Sequence, residues 1–185
     1  MPRFSMLLLL CALIAPEETR AAESLRVSEV HLEPVVVELD RDALRTSGSR
    51  VGIGSRRAAQ IEAELAESLR SALERSLAAQ GITLASEPKT SAAKLKVRAS
   101  RVRLHPIADD LATPLASYGR SEAGASLALE LFATDGRLLL RFAQDYAAPD
   151  PGELRPQSAI QSRKALEALF ARFALEAGLR IGGAG

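Results

Sequence analysis

Lys94, Lys96, Arg98, Arg101 and Arg103 fall within one stretch and are the side chains of this chain best placed to do chemistry. The first three alternate with Leu95, Val97 and Ala99, and the last two with Val102 and Leu104. Alternation with a period of two puts one set on each face of a β-strand. The cations therefore form a basic stripe on one face. Such a stripe suits an anionic lipid headgroup, lipopolysaccharide or an acidic protein partner. The plainer reading is the solvated face of a sheet, partly paired with acids such as Glu130. The phase slips by one residue between Ala99 and Arg101, which predicts a β-bulge near Ser100.

Arg56 and Arg57 are the second candidate for contact with an anion or a partner. They follow a glycine-rich stretch, Gly48-Ser49-Arg50-Val51-Gly52-Ile53-Gly54, and open a helix. A strand, a glycine-rich loop and a helix are the outline of a phosphate cradle. No Gly-Lys-Ser/Thr closes it, which excludes a P-loop, and Arg57 stands where a dinucleotide fingerprint has its third glycine. Arginines in a first turn also oppose the helix dipole, a conflict that a bound anion would relieve. The plainer reading is a flexible lead into the helix.

Catalytic constellations are sparse. The two histidines, His31 and His105, are far apart in sequence and have no nucleophile motif beside them. Asp109-Asp110 near His105 could ligate a cation, as could Asp40 and Asp42, but adjacent acids in a loop are commonly just solvated. No cofactor is indicated, and no catalytic or metal residue can be named.

The elements that position these residues are more legible. From Ser55 to Gln80, Ile61, Leu65, Leu69, Leu73 and Leu77 recur every four residues with alanines between them. The ladder drifts around the helix and gives a broad apolar face suited to packing on a sheet. Glu62 is an acid inside that face. Ser55 reads as the N-cap and Gly81 as the C′ residue. Pro34 to Leu39 reads as a first strand, and Ile82 to Ala85 as a short one. Asp135-Gly136 between two alternating runs predicts a hairpin. A two-residue loop would set Leu131 opposite Leu140, Leu129 opposite Phe142 and Glu130 opposite Arg141. Phe132 and Leu139 would then share the second face. Ser158 and Gln161 form a capping box for a last helix. Its face carries Leu166, Leu169, Phe170, Phe173 and Ala174, and Gly178 reads as its stop.

This order predicts an α+β two-layer sandwich, with a mostly antiparallel sheet and two long helices packed on one face. The expected divisions are a signal peptide at 1–21, a loose lead-in at 22–33, one domain at 34–180 and a flexible tail at 181–185. Met1-Pro2-Arg3 followed by the apolar run Phe4 to Ala15 has the form of a signal peptide cleaved near Ala21. The run is shorter than the about 20 residues a spanning helix needs. Cys11 is the only cysteine, so no disulfide can form within the mature chain. Leu8-Leu9-Leu10-Cys11 faintly resembles a lipoprotein cleavage box. Leu10 is too bulky before a lipidated cysteine, and apolar residues continue past it, so ordinary cleavage into the periplasm or the medium is the stronger reading. A net charge of +1, no Trp and 4% aromatic residues argue against nucleic acid.

Pro34-Val35-Val36-Val37, the Ala/Leu/Glu helix ending in Gly81, the strand Leu95-Lys96-Val97-Arg98-Ala99 and the hairpin through Thr134-Asp135-Gly136 cover most of the mature chain. Together they resemble small exported α/β domains of uncharacterised proteobacterial secreted proteins and lipoproteins, some of them similar to the N-terminal module of TolB. The resemblance rests on apolar patterning and implies envelope interaction without catalysis. The expected function is a non-catalytic cell-envelope binding or assembly accessory module, its partner an envelope protein or anionic lipid. The alternative is an exported enzyme, hydrolase-like, with its site in the loops 40–54 and 105–119. The oligomeric state is not readable from these residues.

Overall fold

The structure is a computed structural model that describes residues 27–41, 54–87, 91–104, 117–119, 123–147, 155–157 and 159–183. One layer is a six-stranded sheet. Its strands are β1 (Glu29–Leu32), β2 (Val36–Leu39), β3 (Thr83–Leu84), β4 (Ala93–Arg103), β6 (Gly124–Phe132) and β7 (Leu138–Ala147). The other layer is α1 (Ser55–Ala79) and α2 (Ala159–Gly183). β5 (Ser117–Gly119) and β8 (Arg155–Gln157) form a separate antiparallel pair, with β5 at the end of the expected loop 105–119.

The sheet order is β3-β1-β4-β6-β7, with β2 also paired to β4. β1 and β2 lie end to end beside β4, and Pro34, which cannot donate to a ladder, falls in the gap between them. The α+β sandwich is as expected, but the sheet is mixed. β3–β1, β1–β4 and β2–β4 are parallel, while β4–β6 and β6–β7 are antiparallel. The lead-in also differs from expectation, since Glu29–Leu32 is a strand that buries Val30 and Leu32.

One face of the sheet meets the helices. Leu95, Val97, Ala99, Leu127, Leu129 and Leu131 pack there against Ile61, Leu65, Leu69, Leu73 and Leu77 of α1. Leu166, Phe170 and Phe173 of α2 complete the core. Phe173 stacks on Phe142 at 5.6 Å between ring centroids and meets Tyr146 edge-on at 6.0 Å. Burial on this scale is the main favourable term in folding.

The helices run in the same direction. Glu64 pairs with Arg163 at 2.6 Å, Ser76 faces Gly178, and Gln80 faces Gly182. Gly178 is therefore a contact rather than a stop. A Cβ there would lie 2.5 Å from Ser76 Oγ and 3.2 Å from the Ser76 carbonyl oxygen. Because Gly178 serves close approach, α2 continues to Gly183, and Ile181 is buried where a loose tail was expected.

Other local expectations can be followed residue by residue. The N-cap of α1 is Gly54, without a side-chain cap, and Ser55 lies inside the helix. Gly81 adopts φ +73°, as a C′ residue should. Glu62 accepts a hydrogen bond from the Leu39 backbone N–H at 3.2 Å, which explains an acid on that face: it satisfies a donor at the end of β2. The hairpin pairs Leu129 with Phe142, Glu130 with Arg141 and Leu131 with Leu140. Its loop has three residues instead of two. Gly136 N–H donates to the Ala133 carbonyl at 3.0 Å, Gly136 sits at φ +85°, and Arg137 O accepts from Ala133 N at 2.8 Å. This is a type I turn closed by a left-handed glycine. A bulge at Leu139 then restores the register, so Phe132 pairs with Leu138. Ser158 of the capping box lies outside the described residues.

Candidate site at the β4 bulge

β4 keeps its alternation up to Ser100 and then shifts register against β6, at the place where the sequence slips phase. Arg101 absorbs the shift with φ +50°, a left-handed conformation uncommon for a residue with a side chain. The bulge keeps both Arg101 and Arg103 on the outer face while Val102 stays in the core.

Arg101 reaches across β6 to β7. Its Nε donates to Ser126 Oγ at 3.0 Å, and its Nη2 donates to Asp145 Oδ1 at 3.0 Å. Ser126 Oγ donates to the same Asp145 oxygen at 2.5 Å. The Ser126 hydrogen bond, and then the charge of Arg101, hold the Asp145 carboxyl below its ordinary pKa. A cavity of about 270 Å³ opens here, lined by Asp40, Arg101, Arg103, Ser126, Asp145 and Tyr146 among others. Arg103 crosses Gly124. A Cβ at Gly124 would lie 2.9 Å from Arg103 Nη2 and 3.0 Å from the Tyr146 carbonyl oxygen, so a side chain there would displace the guanidinium and crowd the β7 backbone.

The arrangement suits recognition better than catalysis. A carboxylate whose pKa is lowered is a weak general base at neutral pH. Ser126 donates its proton to that carboxylate, whose lowered basicity activates the hydroxyl only weakly.

The rest of the basic stripe is mostly neutralised. Lys96 Nζ lies 3.9 Å from Glu33 and 5.2 Å above the Phe132 ring. Phe132 is thus half covered, and Leu139 is half-buried against the core, so the two do not form an exposed patch. Arg98 Nη2 donates to both oxygens of Glu38, at 2.7 and 2.8 Å. Lys94 and Arg103 form no ion pair with another described residue. Arg56 and Arg57 are exposed in the helix layer, not on the stripe's face, and Arg57 Nη1 donates to Gln60 Oε1 at 3.1 Å. The two basic groups named from sequence are therefore not brought together.

His31 lies on the outer face, its Nδ1 3.4 Å from the Ala85 carbonyl oxygen. His105, Asp109, Asp110, Asp42, Cys11 and the glycine-rich stretch before Gly54 lie outside the described residues. Among the described residues no group of three or more His, Cys, Asp or Glu is placed to hold a metal, and no helix is long and apolar enough to cross a membrane. Ser126, Asp145 and Gly124 carry no signal of their own in the sequence, and Asp40 stands out there only as a possible cation ligand. The signal for the site is the phase slip in β4, read together with the hairpin register that puts Ser126 opposite Asp145.

No family model matches the chain, and no curated protein does. Solved structures similar to it include uncharacterised proteins and lipoproteins of proteobacteria. A Xanthomonas campestris protein of the DUF330 family is 14% identical, with a TM-score of 0.49 over 84% of this chain and 85% of that one. A minor lipoprotein from Acinetobacter baumannii is 12% identical, with a TM-score of 0.40 over 85% of this chain and 94% of that one. The rare lipoprotein B from Shewanella oneidensis is 10% identical, with a TM-score of 0.31 over 80% and 89%. What the chain shares with them is a weak resemblance to uncharacterised exported proteobacterial proteins, and no residue role passes from them to this chain.

Proposed function

We propose that this protein is a non-catalytic binding or assembly accessory module of the cell envelope, exported by a signal peptide cleaved near Ala21. The observation that carries this reading is the bulge cavity, where Ser126 and Arg101 hold Asp145 ionised and Arg103 lies open beside them. Arg103, exposed beside a carboxylate that Ser126 and Arg101 already satisfy, suits an acidic group of an envelope protein, which it would bind with charge-assisted hydrogen bonds. The outer sheet face around the cavity, with its paired charges, is a wettable rim of the kind that surrounds such contacts.

Crosslinking in cell envelopes, followed by mass spectrometry of captured proteins, tests this reading. Arg103→Glu reduces capture of the partner by about tenfold or more, while Arg98→Ala leaves it unchanged. Equal capture by both variants refutes the site. Capture of anionic lipid vesicles in place of a protein would reassign the partner. Mass spectrometry of the mature N-terminus separates cleavage near Ala21 from acylation at Cys11.

A further inference from the structure

The sheet ends in an edge whose charges complement themselves. β7 pairs with β6 on one side, and no described strand pairs with its other side. It has ten residues and contains no proline, and its bulge is confined to Leu139 beside the turn. An open edge of this length is a template for another strand.

Two rows of charge cross the outer face and reach that edge with opposite signs. One runs Glu33, Lys96, Glu130, Arg141. Lys96 lies 3.9 Å from Glu33 and opposite Glu130, and Arg141 lies 3.5 Å from Glu130. This row arrives at the edge positive. The other runs Arg101, Ser126, Asp145 and arrives negative. Arg141, Ala143 and Asp145 share the outer face of β7.

We propose that β7 joins two copies of this chain, antiparallel, about a two-fold axis at Ala143. In this register Arg141 of each copy stands opposite Asp145 of the other, and the small Ala143 side chains meet at the axis. Both rows then continue across the seam with their alternation of sign unbroken. On the inner face Leu140 stands opposite Tyr146 and Phe142 opposite Gln144. Neighbouring registers are worse. An axis at Arg141 or Asp145 sets like charges face to face. An axis at Phe142 or Gln144 leaves both charges opposite uncharged residues. Opposite charges directly across strands stabilise pairing and like charges oppose it. A self-complementary patch is what a closed two-fold dimer needs.

Analytical ultracentrifugation of the mature chain over a concentration series tests the proposal. The unsubstituted protein dimerises. Arg141→Asp presents two aspartates on each edge, Asp145→Arg presents two arginines, and each weakens self-association by about tenfold or more. An equimolar mixture of the two variants associates again, as a heterodimer, because each copy then brings the charges the other lacks. Arg98→Glu, on the same face but away from the edge, leaves the dimer intact. Circular dichroism checks that each variant folds. Should Asp145→Arg misfold, the contrast between Arg141→Asp and Arg98→Glu still decides. An unsubstituted protein that is monomeric at every concentration overturns the proposal. So does a dimer that survives Arg141→Asp, or a mixture of folded variants that stays monomeric. These readouts concern assembly and are separate from partner capture through Arg103.

Discussion

The two faces of β4 are built from alternate residues of one strand, yet they do different work. Leu95, Val97 and Ala99 point inward and are sealed by α1 and α2. Lys96, Arg98 and Arg101 point outward and are each paired with an acid from outside β4. The inner contacts gain by excluding water, whereas the outer pairs compete with it. Stability belongs to the inner face, and the outer face is free to vary its charge for recognition.

The comparison is tested most severely by emptying the inner face. Phe173→Ala removes the ring that stacks on Phe142 and meets Tyr146 edge-on, and lowers unfolding free energy by about 3–5 kcal/mol in urea titrations. A loss no larger than that of an exposed substitution would end the distinction between the faces. Gly178→Val forces the two helices apart at Ser76 and costs about 1–3 kcal/mol in the same measurement. Adding Ser76→Ala removes the hydroxyl that the new side chain meets and recovers part of that cost. Ser76 Oγ is buried without a hydrogen-bond partner, so its removal forfeits no bond.

Tyr146 is buried on the inner face of β7, and its contribution depends on pH. Its hydroxyl donates to Glu176 Oε2 at 2.9 Å, and burial, then that bond, raise its pKa well above the ordinary value. The unfolded chain therefore loses this proton first as pH rises. The stability is fully present below about pH 10, the ordinary tyrosine pKa, and declines above it. Tyr146→Phe costs about 1 kcal/mol at neutral pH and flattens the alkaline slope, as thermal melts across pH would show. The smallest effect falls on the outer face. Arg98→Ala breaks a pair whose side chains are 61% and 49% exposed, and shifts thermal melts least of these variants, with any effect fading in high salt.

The features legible in the sequence are those that one segment specifies by itself. The leucine ladder of α1, the pairing of Leu129 with Phe142 and the bulge after Ser100 all follow from local periods. The parallel pairing of β1 and β2 with β4 leaves no such trace, because the two runs carry no turn between them. Gly178 was misread because a glycine that ends a helix and one that admits a neighbouring helix look alike until the neighbour is known. The site was half legible. Arg101 and Arg103 stood out as charges, whereas Ser126 and Asp145 gain meaning only from cross-strand register.

The mixed sheet also sets an order of assembly. β6 and β7 meet through a three-residue loop, so their ladder can zip as soon as both strands exist. β2 must find β4 across a long intervening chain; Glu38 and Arg98, which join them, are 60 residues apart. Loop closure on that scale is slow compared with hairpin formation. The N-terminal strands thus dock on β4 after the hairpin has formed. Until they do, the edge of β4 that they will cover stands open, and the nascent domain is most exposed to wrong strand partners there.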